Sequence, residues 1–256
     1  MNAADGLLII RPSRLSGYPE IVCGVSTKCG GVSPEPFNLN LSYSAGDREE
    51  YVRSNREKFF SALSIPVDRL AVPRQIHGDR IVSVVQPGLI ESCDALLTNL
   101  PNLFLAITVA DCLPVFIYDP VFACVAAVHA GWRGSKLRIV GKAIEQMKIN
   151  FGSKTADLII FTGPSAGVCC YEVGEDVASE FDKKYVVKYP GDKFHLNLKE
   201  MNKDILFESG VLETNIEVAD DCTICNPSLY HSFRRDGMVS GRMMGVIGMI
   251  TPAITG

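Results

Sequence analysis

The segment at residues 108–135, TVADCLPVFIYDPVFACVAAVHAGWRGS, carries four side chains capable of chemistry within an apolar stretch. Asp111 and Cys112 precede one run of Val, Phe and Ile, and His129 and Arg133 follow a second run. Runs of this composition are typical of buried strands. A carboxylate, a thiol, an imidazole and a guanidinium therefore lie at the ends of strands that we expect to form the core.

Cys112 and His129 are spaced so that a hairpin would bring them together. After one short strand and a turn, we expect two long buried strands joined by an Asp-Pro turn at residues 119–120. Cys112 opens the first long strand and His129 closes the second, so both are predicted at one edge of a sheet. His77, in QIHGD, is a third candidate, because we expect Gly78 to let the backbone turn sharply there.

Two histidines and one cysteine form a three-ligand set with one open position, which is typical of catalytic zinc. We therefore name His77, Cys112 and His129 as candidate metal ligands for Zn²⁺. Cys112, His129 and Asp111 are the candidate catalytic residues, with Asp111 either orienting a ligand or accepting a proton. Each residue taken singly also fits a structural role, such as a buried thiol or a hydrogen-bonded imidazole at a strand end.

A second group of candidate ligands is CTIC, which contains Cys222 and Cys225 and is followed by His231. Such a pair is either half of a zinc site, a redox pair or two incidental thiols at a strand end. We favour incidental thiols, because no second CxxC accompanies the pair. The adjacent cysteines Cys169 and Cys170 have the wrong spacing to complete a standard zinc finger.

Basic residues near these motifs are candidate partners for an anion. We expect a helix to follow Gly134 with Ser135 as its N-cap, so Arg133 and the N–H groups of Gly134 and Ser135 would favour phosphate. Arg234, in HSFRRDG, is a second candidate. The alternative for each arginine is an ion pair with Asp or Glu.

Composition narrows the class of protein. The chain has 256 residues and a net charge of −4, so it lacks the basic footprint of a protein that binds nucleic acid or an anionic membrane. Its longest apolar stretch, residues 103–129, is interrupted by Asp and Pro and does not predict a membrane span. Nine cysteines, an odd number, with no export signal predict a cytoplasmic protein with free thiols or metal ligands and no structural disulfides.

Segments with the patterns of strands and of helices alternate along the chain, which predicts an α/β fold with mixed β-sheets flanked by helices. We expect a single layered domain over residues 1–256. Besides the helix after Gly134, the apolar spacing predicts helices at residues 47–65, 173–185 and 197–211.

Six motifs occur in an order and at spacings that resemble one protein family. They are QIHG, TVADCLPV, HAGWRG, GPSAGVCCYEVG, CTIC and SFRRDG with a later SGR. The chain resembles, over residues 20–250, the purine nucleoside phosphorylase family of YfiH type, whose members are also labelled laccase-domain or polyphenol-oxidase proteins. The pairing of ADC with HAGWRG is the most specific part of the match.

The resemblance implies a single domain with zinc held by His77, Cys112 and His129. It also implies phosphorolysis of adenosine, inosine, guanosine and methylthioadenosine, with adenosine deamination as a further activity. The expected partners are purine nucleosides and phosphate, and we expect Arg133, Arg234 and Asn40 to bind them. His231 replaces a Phe that is frequent in the family, which leaves the substrate preference open.

Three other functions remain as alternatives. The older family label implies a copper oxidase, but four histidines are too few for a multicopper assembly. A cysteine hydrolase would use Cys112 as nucleophile and His129 as base. A non-enzymatic, zinc-stabilised binding partner is the third.

Overall fold

The computed structural model describes residues 6–191 and 193–251. In chain order its strands are β1 (Ile9–Ile10), β2 (Ile21–Ser26), β3 (Leu70–Pro73), β4 (Ile81–Ser83), β5 (Gly88–Ile90), β6 (Ala95–Thr98), β7 (Phe104–Val109), β8 (Leu113–Asp119), β9 (Cys124–Ala130), β10 (Ile159–Thr162), β11 (Glu172–Val173), β12 (Val186–Tyr189), β13 (Lys193–Leu196), β14 (Ile216–Val218) and β15 (Met243–Met249). The α-helices are α1 (Glu49–Ser61), α2 (Trp132–Lys136), α3 (Ile139–Phe151), α4 (Glu175–Ala178), α5 (Leu198–Glu208) and α6 (Phe233–Asp236).

The strands form two six-stranded sheets and one small sheet. The first sheet has the order β1-β2-β15-β7-β3-β5, and the second has the order β14-β10-β8-β9-β6-β4. Both sheets are mixed, since β3 runs parallel to β5 and β7, β4 to β6, and β10 to β14, while the other neighbours are antiparallel. The small sheet, β11-β13-β12, is antiparallel.

The core consists of layers because alternate side chains of a strand point to opposite faces. Phe116 and Tyr118 of β8 pack between the two large sheets, where Leu105 of β7 meets them from the other sheet. Val115 and Ile117 of β8 point the other way, into the cluster that α3 and α5 cover.

Helix α1 covers the outer face of the first sheet. Phe59 and Phe60 of α1 are fully buried against Phe104 of β7 and Val246 of β15. The layers are therefore α1, the first sheet, the second sheet, and α3 with α5. This arrangement confirms the predicted α/β class with mixed sheets flanked by helices. Within the described residues, no helix combines the length and apolar character that a bilayer crossing needs.

The structure corrects the predicted course of the chain before the hairpin. We expected no separate strand directly before the one that Cys112 opens, but residues 104–109 form β7, which Asp111, with φ of +86°, separates from β8. Residues before this point form β7 in the first sheet and those after Cys112 form β8 in the second. A left-handed residue cannot continue a strand, so Asp111 moves the chain from one sheet to the other.

Two predicted helices also differ from the structure. Helix α2 begins at Trp132 with Gly131 as its N-cap, before the predicted start, and a second helix, α3, begins after a left-handed Arg138. The helix predicted at residues 173–185 is reduced to the four residues of α4, followed by a 3₁₀ turn at Lys183–Tyr185. The helices predicted at residues 47–65 and 197–211 are confirmed as α1 and α5.

Candidate metal centre

The hairpin of β8 and β9 brings Cys112 and His129 to one edge of the second sheet, as predicted. Pro114 pairs with His129 in the antiparallel register, so Cys112, two residues earlier, lies beside the end of β9. His77 joins them from the loop after β3, and the ligand atoms of the three residues all lie within 4.8 Å of one another. The two imidazole rings are 4.9 Å apart between centroids and nearly perpendicular. A single cation can therefore contact all three side chains.

Asp94, which no motif of the sequence indicated, positions two of these residues, His77 and His129. Its fully buried carboxylate accepts the backbone N–H groups of His77 at 2.9 Å, Gly78 at 2.8 Å and Ile76 at 3.2 Å. It also lies 2.8 Å from Nδ1 of His129. One carboxylate thus anchors the loop that carries His77 and orients the ring of His129.

The ionisation of Asp94 assigns the tautomer of His129. Burial raises the pKa of Asp94, but the hydrogen bonds from His129 and from the N–H of Gly78 outweigh it and hold the pKa below its usual value. An ionised carboxylate can only accept, so Nδ1 of His129 carries the proton. Nε2 is then the atom available to a metal, as in carboxylate–histidine–zinc arrangements.

Cys112 has the electrostatic surroundings of a thiolate ligand. Burial raises the pKa of its thiol. The charges and hydrogen bonds of His129 and His77 outweigh burial and bring the pKa down to about 6. Burial lowers the pKa of His129, and the Cys112 thiolate and Asp94 raise it to about 9. Without a cation the two form a thiolate–imidazolium pair, and metal binding requires the loss of the Nε2 proton.

Two glycines of HAGWRG leave room for the cluster. A Cβ atom on Gly131 would lie 3.0 Å from Sγ of Cys112 and 3.5 Å from the ring of His77. A Cβ atom on Gly134 would lie 2.9 Å from the carbonyl oxygen of Gly78. The motif therefore lets helix α2 approach the loop of His77 closely.

The turn at His77 is built differently from the prediction. We expected Gly78 to take the unusual backbone conformation, but His77 itself is left-handed, with φ of +58°. Such a conformation costs energy in a non-glycine residue, and the three hydrogen bonds to Asp94 hold it. The histidine is thus fixed by its backbone as well as by its ring.

Asp111 organises the loops around the site. Its carboxylate accepts hydrogen bonds from the hydroxyl of Thr223 at 2.7 Å, the hydroxyl of Ser232 at 3.0 Å and the backbone N–H of Arg234 at 2.6 Å. Asp111 is buried, with 6% of its surface exposed. Asp111, next to the candidate ligand Cys112, therefore holds residues 223–234 against the site.

Arg234 and Arg242 bring positive charge to this region. The guanidinium of Arg234 is exposed and lies 5.1 Å from the ring centre of Tyr171. Burial lowers the pKa of Arg242, while the charges of Asp111 and Cys112 raise it, so its guanidinium lies within electrostatic reach of both. Arg242 belongs to the SGR motif, and we did not expect it among the site residues.

Arg133 and Asn40, the other two residues that we expected to bind an anion, have different surroundings from Arg234. Arg133 is exposed on α2 and its guanidinium lies over the ring of Trp132 at 4.3 Å. The N–H of Ser135, which we expected to be free for phosphate, donates to the carbonyl of Gly131 at 2.8 Å, so that part of the prediction is wrong. Asn40 is fully buried, and its side-chain oxygen accepts the N–H of Arg242 at 2.9 Å.

A second cluster contains Cys169, Cys170, Cys222 and Cys225, whose sulfur atoms all lie within 4.8 Å of one another. The spacing of Cys169 and Cys170 gave no indication of this arrangement. His231, which follows the CTIC motif, does not join the cluster and instead lies against Gly241.

The fold and the first cluster define a class: layered α/β proteins in which a strand-end His–Cys–His set offers three ligands to a metal. The family model described as multi-copper polyphenol oxidoreductase laccase matches residues 22–250, and the chain belongs to this family.

Relatives named as purine nucleoside phosphorylases match nearly the whole chain. The chain is 34% identical to purine nucleoside phosphorylase YlmD of Bacillus subtilis, over 90% of this chain and 89% of that protein. It is 36% identical to a purine nucleoside phosphorylase of Deinococcus radiodurans, over 96% and 94% of the two chains. The crystal structure of YlmD from Geobacillus stearothermophilus superimposes with a TM-score of 0.90 at 29% identity, covering 98% of each chain. The resemblance drawn from the motifs is thus confirmed.

Proposed function

We propose that the protein is a zinc-dependent purine nucleoside phosphorylase. The observation that carries the proposal is the convergence of His77, Cys112 and His129 on one point, with Asp94 orienting His129. The names of the characterised relatives support a nucleoside phosphorylase. The substrates would be adenosine, inosine, guanosine and methylthioadenosine with phosphate, and the products the free base and a pentose 1-phosphate.

The donor set fits zinc. One thiolate and two neutral imidazole nitrogens are preferred zinc ligands, and three protein ligands leave a fourth position open. A zinc ion held by these three residues would polarise an oxygen of phosphate or water, which would serve phosphorolysis or deamination. The space beside Cys112 that a Cβ on Gly131 would fill is consistent with this use.

Phosphorolysis forms a bond between a phosphate oxygen and the anomeric carbon and breaks the bond from that carbon to the purine nitrogen. The protein must hold a multiply charged anion against a sugar carbon that becomes positive in the transition state. Arg234, Arg242 and Arg133 are the cations proposed to bind phosphate. Asn40 contributes by holding the backbone of Arg242.

Asp111 is proposed as the negative charge that complements the transition state. Its carboxylate already accepts three hydrogen bonds, which favours positioning and electrostatic stabilisation over proton donation. The departing purine nitrogen accepts a proton as the bond to the anomeric carbon breaks.

Adenosine deamination is the proposed further activity, since water can use the same open position as phosphate. We also propose a cytoplasmic location, because all nine cysteines are free thiols, the state expected in a reducing compartment.

A cysteine hydrolase is the second candidate function, because Asp94, His129 and Cys112 also form a carboxylate–imidazole–thiolate series.

The copper oxidase suggested by the family description is disfavoured. Of the four histidines, His195 contacts the carbonyl of Val168 and His231 lies against Gly241, which leaves two for the cluster.

The decisive experiment incubates the purified protein with adenosine or inosine, with and without phosphate, and identifies the products. Free base and ribose 1-phosphate formed only with phosphate would support the proposal. Chelator-treated protein should lose this activity and regain it with zinc but not with copper. Absence of any phosphate-dependent product would contradict the proposal, and alkylation-sensitive hydrolysis by metal-free protein would favour the hydrolase.

A further inference from the structure

The four sulfur atoms of the second cluster come from two loops that are distant in sequence. Cys169 and Cys170 follow β10, whereas Cys222 and Cys225 follow β14, its parallel neighbour in the second sheet. Sγ of Cys225 lies 3.3 Å from Sγ of Cys169 and 3.0 Å from Sγ of Cys170. Four thiols thus meet outside the site of His77, Cys112 and His129.

The backbone around Cys222 is arranged to stabilise a thiolate. Its Sγ accepts the backbone N–H of Gly167 at 3.2 Å. Hydrogen bonds of this kind to a ligand atom orient the ligand and tune a metal site. A Cβ atom on Gly167 would lie 3.2 Å from Sγ of Cys169 and 3.1 Å from Cβ of Cys222, so glycine leaves the sulfur atoms room to converge.

The charge around the cluster suits an anionic complex. The ammonium group of Lys199 lies within electrostatic reach of Cys222 and Cys169 and donates to the carbonyl oxygens of Ala219 and Asp221 at 2.6 and 2.8 Å. Four thiolates around a divalent cation carry a net charge of −2, which the half-buried ammonium group of Lys199 partly balances.

We propose that Cys169, Cys170, Cys222 and Cys225 bind a second zinc ion in a closed, four-thiolate structural site. Tetrahedral zinc–thiolate bonds of about 2.3 Å place the sulfur atoms about 3.8 Å apart. Two of the observed separations, 3.0 and 3.3 Å, are shorter than this value and all of them lie within 4.8 Å, so small shifts bring the four sulfur atoms to it. With all four positions taken by protein, this zinc has no open position for substrate.

This second zinc would hold the loops that surround Asp111. Thr223, within the CTIC motif, donates its hydroxyl to Asp111, and Arg235 donates to the carbonyl oxygens of Thr223 and Ile224. Tyr171, directly after Cys170, lies beneath the guanidinium of Arg234. Binding of zinc by the four cysteines would therefore fix the segments that bear the proposed phosphate-binding arginine.

The test measures zinc per chain by elemental analysis and native mass spectrometry on protein purified with a thiol reductant. Wild-type protein should hold one zinc more than Cys225→Ser, and Cys29→Ser, which alters a cysteine outside both clusters, should match the wild type. Cys112→Ser should keep the second zinc, so failure of the first site does not affect the comparison. Equal zinc in wild-type and Cys225→Ser protein would overturn the proposal.

A second measurement covers the case in which Cys225→Ser does not fold. In wild-type protein the four thiols should resist alkylation until a chelator is added, as read by peptide mass spectrometry. Alkylation of all four without chelator would contradict the proposal. Protection that a reductant removes and a chelator does not would show a disulfide and overturn it. Cobalt-substituted protein should show thiolate-to-cobalt charge-transfer absorption that persists in Cys112→Ser.

Discussion

The side-chain carboxylate of Asp94 accepts four hydrogen bonds, and one of them joins it to Nδ1 of His129 at 2.8 Å. The same carboxylate holds the left-handed loop of His77. Two of the three ligands of the candidate metal centre therefore depend on a residue that is not itself a ligand.

Replacing Asp94 with Asn should weaken zinc binding at this centre about 10- to 100-fold, because the amide cannot accept all the hydrogen bonds that position the ligands. The measurement is competition with a chelator. Asp119→Asn is the matched control, since Asp119 is equally buried and accepts two backbone N–H groups at the far end of the hairpin. Equal zinc affinity of the two variants would contradict the role of Asp94.

Gly131→Ala should lower zinc affinity at least about tenfold without unfolding the protein. Its backbone, with φ of −74°, accepts alanine, but the new methyl group would lie 3.0 Å from Sγ of Cys112. Crowding of this kind typically costs about 1–3 kcal/mol. Gly17→Ala, where a Cβ meets nothing within 4 Å, serves as control, and circular dichroism checks the fold.

Asp111→Asn should lower kcat/KM for phosphorolysis about tenfold to a hundredfold while zinc is retained. An asparagine side chain has one acceptor oxygen, so at least one donor among Thr223, Ser232 and Arg234 would face an amide NH₂ group and lose its hydrogen bond. A hydrogen bond to a charged acceptor contributes about 1.5–3 kcal/mol. Steady-state kinetics with zinc analysis tests this. Full turnover with zinc bound would exclude the proposed role.

Arg234→Ala should raise KM for phosphate about 10- to 150-fold with a smaller effect on KM for nucleoside. The exposed guanidinium is proposed to bind the anion directly, and one charged hydrogen bond contributes about 1.5–3 kcal/mol. Arg48→Ala removes a surface arginine paired with Glu50 and is the control. An unchanged phosphate KM in Arg234→Ala would assign anion binding to other residues.

His231 should make the protein less stable as the pH falls. Burial, and then the charge of Lys28, lower its pKa from 6.5 to about 3. Below pH 6.5 the unfolded chain binds a proton that the folded chain does not, so the free energy of unfolding decreases between pH 6.5 and about 3. At pH 5 this effect is roughly 2 kcal/mol.

A His231→Leu variant, of similar volume, should lack this contribution. Urea unfolding at pH 7.5 and pH 5 gives the loss of stability for each protein, and the wild type should lose more. Equal losses would show that His231 is protonated in the folded protein.

The sequence predicted the meeting of Cys112 and His129 because a hairpin register is a local property. It did not reveal Asp94, because that carboxylate acts through the pairing of β6 with β9, 35 residues apart at the hydrogen bond. A polar residue directly before the apolar strand β6 was the available signal.

The cysteine cluster shows the same limit. CTIC was recognised, but its partners Cys169 and Cys170 are adjacent to each other and match no ligand spacing. They join the pair because β10 and β14 are parallel neighbours, which is a property of the whole sheet. The glycines of HAGWRG were visible as a motif, although their close contacts depend on the loop of His77.

The left-handed Asp111 leaves only residues 110–112 between β7 and β8. Because side chains alternate along a strand, a slip of β8 by one residue to absorb a longer or shorter spacer would turn every side chain of β8 to the other face. Phe116 and Tyr118 would then meet the helices, and Val115 would meet the neighbouring sheet. The spacer therefore has a fixed length, and related chains of different length should carry their insertions elsewhere.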